Sequence, residues 1–354
     1  MPGMSNPSSP VKLPVGRTIL VGVVVPAFFV WLNARLHTQY SISDHFWISF
    51  QLLAACVVQI GIFSVLCGKL IDWPVLRWLI YGWCWLLVDI QFLSASWLSN
   101  GNYYDDRFLL ANGMFGAQLG LITIWAILGT TRWVVRLPIA MVLVTLLSLP
   151  IAAATQWHYW HGPLNYLFAI QTVALAALCG VLRWRGYRLL PQEHSIAANS
   201  EKHTSQFGMR DVLVWTTAMA IALAVARAFE LLSVRMFAGF TYNVWNWGTA
   251  LTHGWLLAMV LIVALWAALG QGPAWLRWSL LVVSSLLVGF LGAYLQYFAD
   301  NHAAGRFVLM QFSWDFFWEY YRSWIAVFVL AASLLFATLL IVRVRGYRLQ
   351  RLTK

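Results

Sequence analysis

Residues 249–270 read TALTHGWLLAMVLIVALWAALG, a run of 22 residues without a single Asp, Glu, Lys or Arg. An α-helix rises 1.5 Å per residue, so about 20 mostly apolar residues cover the roughly 30 Å of hydrocarbon in a bilayer. This run therefore has the length and composition of a transmembrane helix. Its one ionisable side chain, His253, lies near one end.

The whole chain shares the character of that run. Of its 354 residues, 61% are hydrophobic and only 10% are charged, with a mean hydropathy of +0.71. A soluble domain usually carries about 25% charged and 45–50% apolar residues. This composition excludes a soluble globular protein and predicts an integral membrane protein.

The hydropathy pattern predicts an all-α fold, a polytopic membrane helix bundle with about ten transmembrane helices. Each predicted span is a mostly apolar stretch close to the length that a bilayer requires. The ten stretches are 18–36, 46–67, 75–97, 108–130, 134–154, 164–182, 211–234, 249–270, 276–297 and 322–342.

The distribution of Lys and Arg predicts the orientation of these spans. With the N-terminus inside, 17 of the 23 basic residues fall on the inner side, as expected from the positive-inside rule. We therefore expect a multi-pass protein of the cytoplasmic membrane with both termini in the cytoplasm. The same bias accounts for the net charge of +11, so the lipid bilayer, not nucleic acid, is the expected partner.

Two sequence matches indicate an internal repeat. Residues 108–129 align with 249–270 at an offset of 141, and Trp125-Ala-Ile-Leu-Gly129 matches Trp266-Ala-Ala-Leu-Gly270. A second match, at an offset of 160, pairs Arg185-Gly-Tyr-Arg-Leu189 with Arg345-Gly-Tyr-Arg-Leu349. Both basic tags are predicted on the inner face, so the two halves are expected to be parallel repeats.

The predicted halves are residues 1–190, with about six spans, and 207–354, with about four. The polar segment 191–206 is the expected cytoplasmic linker. The second half has about 19 extra residues before its last span. There, aromatic residues at helical spacing predict an amphipathic helix at about 306–321, lying on the outer membrane surface.

One segment carries a family resemblance. In QFGMRDVLVWTTAMAIALAVAR (206–227), the residues Phe207, Arg210, Asp211, Leu213 and Thr216 match a recurring segment of planctomycete membrane proteins. The chain resembles these multi-pass proteins in its Gly-Tyr-Arg-Leu tags as well. The resemblance implies a bacterial membrane and carries over no catalytic residue.

Three ionisable residues fall inside predicted spans: Asp89, Arg227 and Glu230. A charge near the bilayer centre costs at least about 2.5–3.5 kcal/mol, so such residues are usually paired or line a cavity. One interpretation is a polar site in the outer half of the membrane, serving as a proton or cation relay or as an outward-opening pocket. The other is a structural ion pair that holds the two halves together.

A second candidate site lies at the outer face and comprises His253, Asp315 and Glu319. The two acids, four residues apart among aromatic side chains, have the spacing of an acid/base pair for sugar or lipid headgroups, or of the wet face of a surface helix. Neither the histidines nor the four cysteines show metal-ligand spacing, so no metal and no cofactor are expected.

The sequence contains no nucleotide-binding or hydrolase motif, which argues against an ATP-driven pump. The expected function is a transporter-like or small-solute- or lipid-binding role. Two alternatives stay open. One is a membrane enzyme that acts on a lipid-linked substrate at the outer face, and the other is a non-catalytic scaffold or sensor.

Overall fold

The fold is seen in a computed structural model. It describes residues 15–39, 45–98, 106–129, 132–155, 161–191, 244–303 and 314–351, with Thr216, Thr217, Ala220 and Ala224 as isolated helical positions. Of the ten predicted spans, 211–234 lies outside the described residues except for those four positions. The other nine each coincide with a helix.

The described segments form nine helices and two short strands. Helix α1 runs through Val15–Ile19, a π-helical turn at Leu20–Val24, and Val25–Gln39. The π turn directly precedes Pro26, which has no N–H to donate to the preceding turn. The others are α2 (His45–Leu70), α3 (Pro74–Leu98), α4 (Asp106–Leu128), α5 (Trp133–Thr155), α6 (His161–Trp184), α7 (Val244–Leu269), α8 (Ala274–Ala303) and α9 (Trp314–Val344).

Five helices are long and apolar enough to cross a membrane, over Val15–Arg35, Tyr166–Trp184, Gly248–Leu269, Ala274–Ala299 and Tyr321–Val344. Their outward faces stay apolar: Val173 is 70% exposed and Leu287 is 66% exposed. A soluble protein rarely leaves such long apolar faces uncovered, whereas lipid tails cover them at no cost. The chain is thus mostly helical, with the apolar helices of a membrane protein.

The core lies where α4, α6, α7 and α9 pack together. Small residues allow these helices to approach closely. A Cβ on Gly116 would lie 3.1 Å from Leu257 Cδ2, and one on Gly120 would lie 2.8 Å from Leu261 Cδ1. The Gly116–Gly120 face of α4 therefore packs against α7 of the same chain.

One part of the all-α prediction is wrong. Strands β1 (Tyr187–Pro191) and β2 (Tyr347–Arg351) pair antiparallel into a two-stranded ribbon, with Leu189 opposite Leu349. The two basic tags thus end their helices and begin strands. Each helix ends at a glycine with positive φ, Gly186 at 88° or Gly346 at 81°, a conformation that stops a helix without strain.

The expected surface helix at 306–321 overlaps α9. From Trp314 onward these residues belong to the same uninterrupted helix as the last span, and Phe317 is fully buried against Tyr297 and Tyr321. Residues 304–313 lie outside the described part. From residue 314 on, the extra segment therefore lengthens the last helix.

Candidate functional site

The structure places only part of the predicted intramembrane cluster. Asp89 lies on α3, but its side chain is outside the described residues. Arg227 and Glu230 also lie outside them. The grouping of these three charges stays a prediction.

The predicted outer-face residues lie at different heights. Asp315 is exposed in the first turn of α9, and the side chain of Glu319, one turn later, is outside the described part. His253, on α7, is 1% exposed and packs against Trp324 with 4.5 Å between ring centroids. Asp315 precedes Trp324 by nine residues, about 13 Å along a helix axis, so it does not reach His253.

His253 lines a small cavity near one end of the bundle. The cavity has about 10 Å³ of space for the centre of a water-sized occupant, which is room for about one water molecule. Four helices supply its walls. The lining residues are Asn112 from α4, Leu167 and Phe168 from α6, His253 and Leu257 from α7, and Trp324, Val327 and Phe328 from α9.

The walls of this cavity repeat at the two offsets found in the sequence. Asn112 and His253 are 141 residues apart, at the offset that aligns α4 with α7. Phe168 and Phe328 are 160 apart, the offset of the basic tags. Leu167 and Val327 show the same spacing. Each half therefore contributes matched positions to one cavity.

Two buried polar atoms at the cavity lack hydrogen-bond partners among the described residues. His253 Nδ1 lies 2.9 Å from the Thr249 carbonyl oxygen, which assigns the ring proton to Nδ1 and leaves Nε2 as an acceptor. Nε2 faces the backbone near Gly292 without a hydrogen bond of normal geometry. Asn112 Nδ2, a donor, is also unpaired.

This arrangement offers one donor and one acceptor in an otherwise apolar enclosure. A buried polar group without a partner costs about 1–3 kcal/mol, so native proteins rarely retain one without a reason. An occupant with both a donor and an acceptor, such as water or a hydroxyl or amide group, would satisfy both atoms. Among the described residues, no group of His, Cys, Asp and Glu fits a metal ion.

Two glycines determine how closely the cavity walls approach. A Cβ on Gly254 would lie 2.8 Å from the Leu167 carbonyl oxygen, and one on Gly113 would lie 3.0 Å from the Val327 carbonyl oxygen. These contacts are equivalent, since the glycines are 141 residues apart and their partners 160 apart. The helix crossings beside the cavity therefore have the same close packing in both halves.

At the far ends of α4 and α7, matched arginines hold the last carbonyl groups. Arg277 Nη1 donates to the carbonyl oxygens of Ala267 at 3.0 Å and Gly270 at 2.8 Å, and Arg343 donates to Ala268. In the first half, Arg136 donates to Trp125 and Gly129, and Arg183 donates to Ile127. A cation at a helix C-terminus is favoured by the helix dipole. The sequence signal was available in the repeat offsets.

Comparisons with protein families, curated proteins and solved structures find no match for this chain.

Proposed function

We propose that this chain is a multi-pass protein of the bacterial cytoplasmic membrane with about ten transmembrane helices and both termini in the cytoplasm. Its two parallel halves, 1–190 and 207–354, are joined by the linker 191–206. Its role is transporter-like: it binds a small polar solute, or the polar group of a lipid, between the halves. The resemblance of 206–227 to planctomycete membrane proteins supports the bacterial assignment.

The contacts at the two offsets support the proposal of two halves. Gly113 and Gly254 make the same close approach to the partner helix, and Arg136 and Arg277 hold the same carbonyl groups in the next turn-to-helix connection. The ribbon joins the two tags at equivalent residues, Leu189 and Leu349. A local twofold relation between the halves explains all three. Parallel repeats with a site at their interface occur among transporters.

The observation that carries the functional proposal is the cavity with unpaired Asn112 Nδ2 and His253 Nε2. Keeping two unpaired polar atoms in the core lowers stability, and functional sites are where proteins keep such groups. With room for about one water, the cavity is a closed form of the site. Binding of a larger solute requires the halves to separate there, and Asp89, Arg227 and Glu230 are the proposed charged residues on its path.

Thiol accessibility tests this proposal. A transporter-like site reaches water part of the time, so His253→Cys and Asn112→Cys should react with a small maleimide in proteoliposomes. Leu261→Cys is the matched control, because Leu261 is fully buried two helical turns deeper on the same face of α7. The parent gives the background, since Cys56, Cys67, Cys84 and Cys179 are all buried.

We expect both site cysteines to react at least tenfold faster than the control. Equal, negligible labelling of all three would refute an opening site and leave the scaffold role. The enzyme alternative has its own test. Loss of turnover of a lipid-linked substrate in Asp315→Asn would favour it, since Asp315 is exposed at the start of α9.

A further inference from the structure

The end of the bundle that carries the ribbon, called the ribbon end below, is strongly basic. Two groups of three arginines lie there, called the first triplet (Arg136, Arg183 and Arg188) and the second triplet (Arg277, Arg343 and Arg348). Within each triplet the guanidinium groups are close enough for their charges to repel one another. The two triplets match at offsets of 141 and 160, so each half has one.

No described acidic residue pairs with either triplet. Asp72 at the same end forms its salt bridge with Arg345, at 3.2 Å. The carbonyl groups at a helix C-terminus amount to about half a negative charge, against three full positive charges in each triplet. Capping α4 and α7 therefore leaves most of the positive charge uncompensated.

The triplets also have more hydrogen-bond donors than the protein uses. A guanidinium carries five N–H donors. The buried Nε atoms of Arg136 and Arg277 have no partner among the described residues. Arg188 is exposed and forms no hydrogen bond in the described part of the chain. An anion with several acceptor oxygens would fit this set of donors.

The ribbon places two of these arginines away from the core. Leu189 and Leu349 are 8% and 7% exposed, so one face of the ribbon packs against the helices. Because successive side chains on a strand alternate, Arg188 and Arg348 lie on the opposite face. They flank the ribbon as equivalent residues of the two halves.

Exposed indoles place the triplets at the level of lipid headgroups. Trp184, which follows Arg183, is 84% exposed, and Trp275, two residues before Arg277, is 69% exposed. Tryptophan concentrates at the membrane–water interface, where the lipid phosphates lie. Basic pockets between transmembrane helices at that depth bind anionic headgroups.

We propose that each arginine triplet binds the phosphate of one anionic phospholipid, so that the chain holds two such lipids, one in each half. Arginine suits this ligand because its planar fork matches phosphate oxygens. The inference rests on the proposed membrane insertion but is independent of the cavity. Lipid binding at the ribbon end and thiol labelling at His253 succeed or fail separately.

The test uses the full chain purified in a neutral detergent, with bound lipid counted by native mass spectrometry. Phosphatidylglycerol is the probe, phosphatidylcholine is the zwitterionic control, and inorganic phosphate is the free-anion control. The variants are Arg188→Gln and Arg188→Gln/Arg348→Gln. The matched variant is Arg351→Gln, which removes one exposed charge from the other face of the ribbon.

We expect the parent to retain two phosphatidylglycerol molecules in preference to phosphatidylcholine. Each Arg→Gln change in a triplet should weaken retention about fivefold, because one basic residue contributes about that factor near an anionic surface. Arg351→Gln should stay within about twofold of the parent. Equal retention of both lipids, or an equal loss in Arg351→Gln, would overturn the proposal. Competition by inorganic phosphate at the same concentration as the lipid would assign the triplets to a free anion instead.

Discussion

Arg277 Nη1 donates a 2.8 Å hydrogen bond to the carbonyl oxygen of Gly270, at the C-terminal end of α7. Arg136 makes the equivalent contact with Gly129 at the end of α4. Replacing either arginine with Met keeps the length of the side chain but leaves buried carbonyl groups unpaired. We expect Arg277→Met and Arg136→Met each to lower the free energy of unfolding by about 1–3 kcal/mol.

Unfolding of the purified variants by denaturing detergent gives this quantity. Arg132→Met is the control, since Arg132 is exposed and precedes the same helix as Arg136. We expect it to stay within about 0.5 kcal/mol of the parent. If the control loses as much as the capping variants, general charge rather than capping determines stability at this end.

The close approach at Gly254 predicts a steric effect. The Cβ of Gly254→Ala would lie 2.8 Å from the Leu167 carbonyl oxygen and from Ile170 Cγ2, so the helices must separate. We expect a loss of about 1–3 kcal/mol. Gly180 is the comparison, because a Cβ there meets nothing within 4 Å. Gly180→Ala should be neutral or stabilising by up to about 1 kcal/mol.

A single thermal-unfolding series on both alanine variants measures this difference. Equal midpoints for Gly254→Ala and Gly180→Ala would show that α6 and α7 do not approach at Gly254.

The amide pair between α1 and α2 predicts a measurable coupling. Asn33 and Gln59 are both 3% exposed, and they exchange two hydrogen bonds, at 3.2 and 2.8 Å. A double-mutant cycle with Asn33→Leu and Gln59→Leu should give a coupling energy of about 0.6–1.7 kcal/mol, the range for hydrogen bonds between membrane helices. Additive effects of the two substitutions would mean that α1 does not dock on α2 at this pair.

Hydropathy predicts the helices because the signal is local. A run such as 249–270 needs no knowledge of its neighbours to be recognised as a helix, and it lies within α7 and the residue that follows it. The ribbon was missed because Tyr187–Pro191 and Tyr347–Arg351 are short, polar and 160 residues apart. Neither strand has a hydrogen-bond partner within its own neighbourhood of the sequence.

The cavity was predictable only in part. The repeat alignment pairs His253 with Asn112, which are the two polar residues that the structure brings to one cavity. The aromatic walls, Phe168 and Phe328, come from helices that the same alignment does not reach, and their convergence depends on tertiary packing. The predicted association of His253 with Asp315 failed on height along α9.

The central claim is that Asn112 and His253 are kept unpaired between the two halves for binding, at a cost in stability. The most direct measurement is the free energy of unfolding of His253→Leu, Asn112→Val and the double variant, all of similar volume to the parent residues. Since unpaired buried groups stabilise nothing, the account predicts values equal to the parent within about 1 kcal/mol, or higher. A loss of more than about 3 kcal/mol in either single variant would contradict it, because a loss of that size marks a group that is paired and structural.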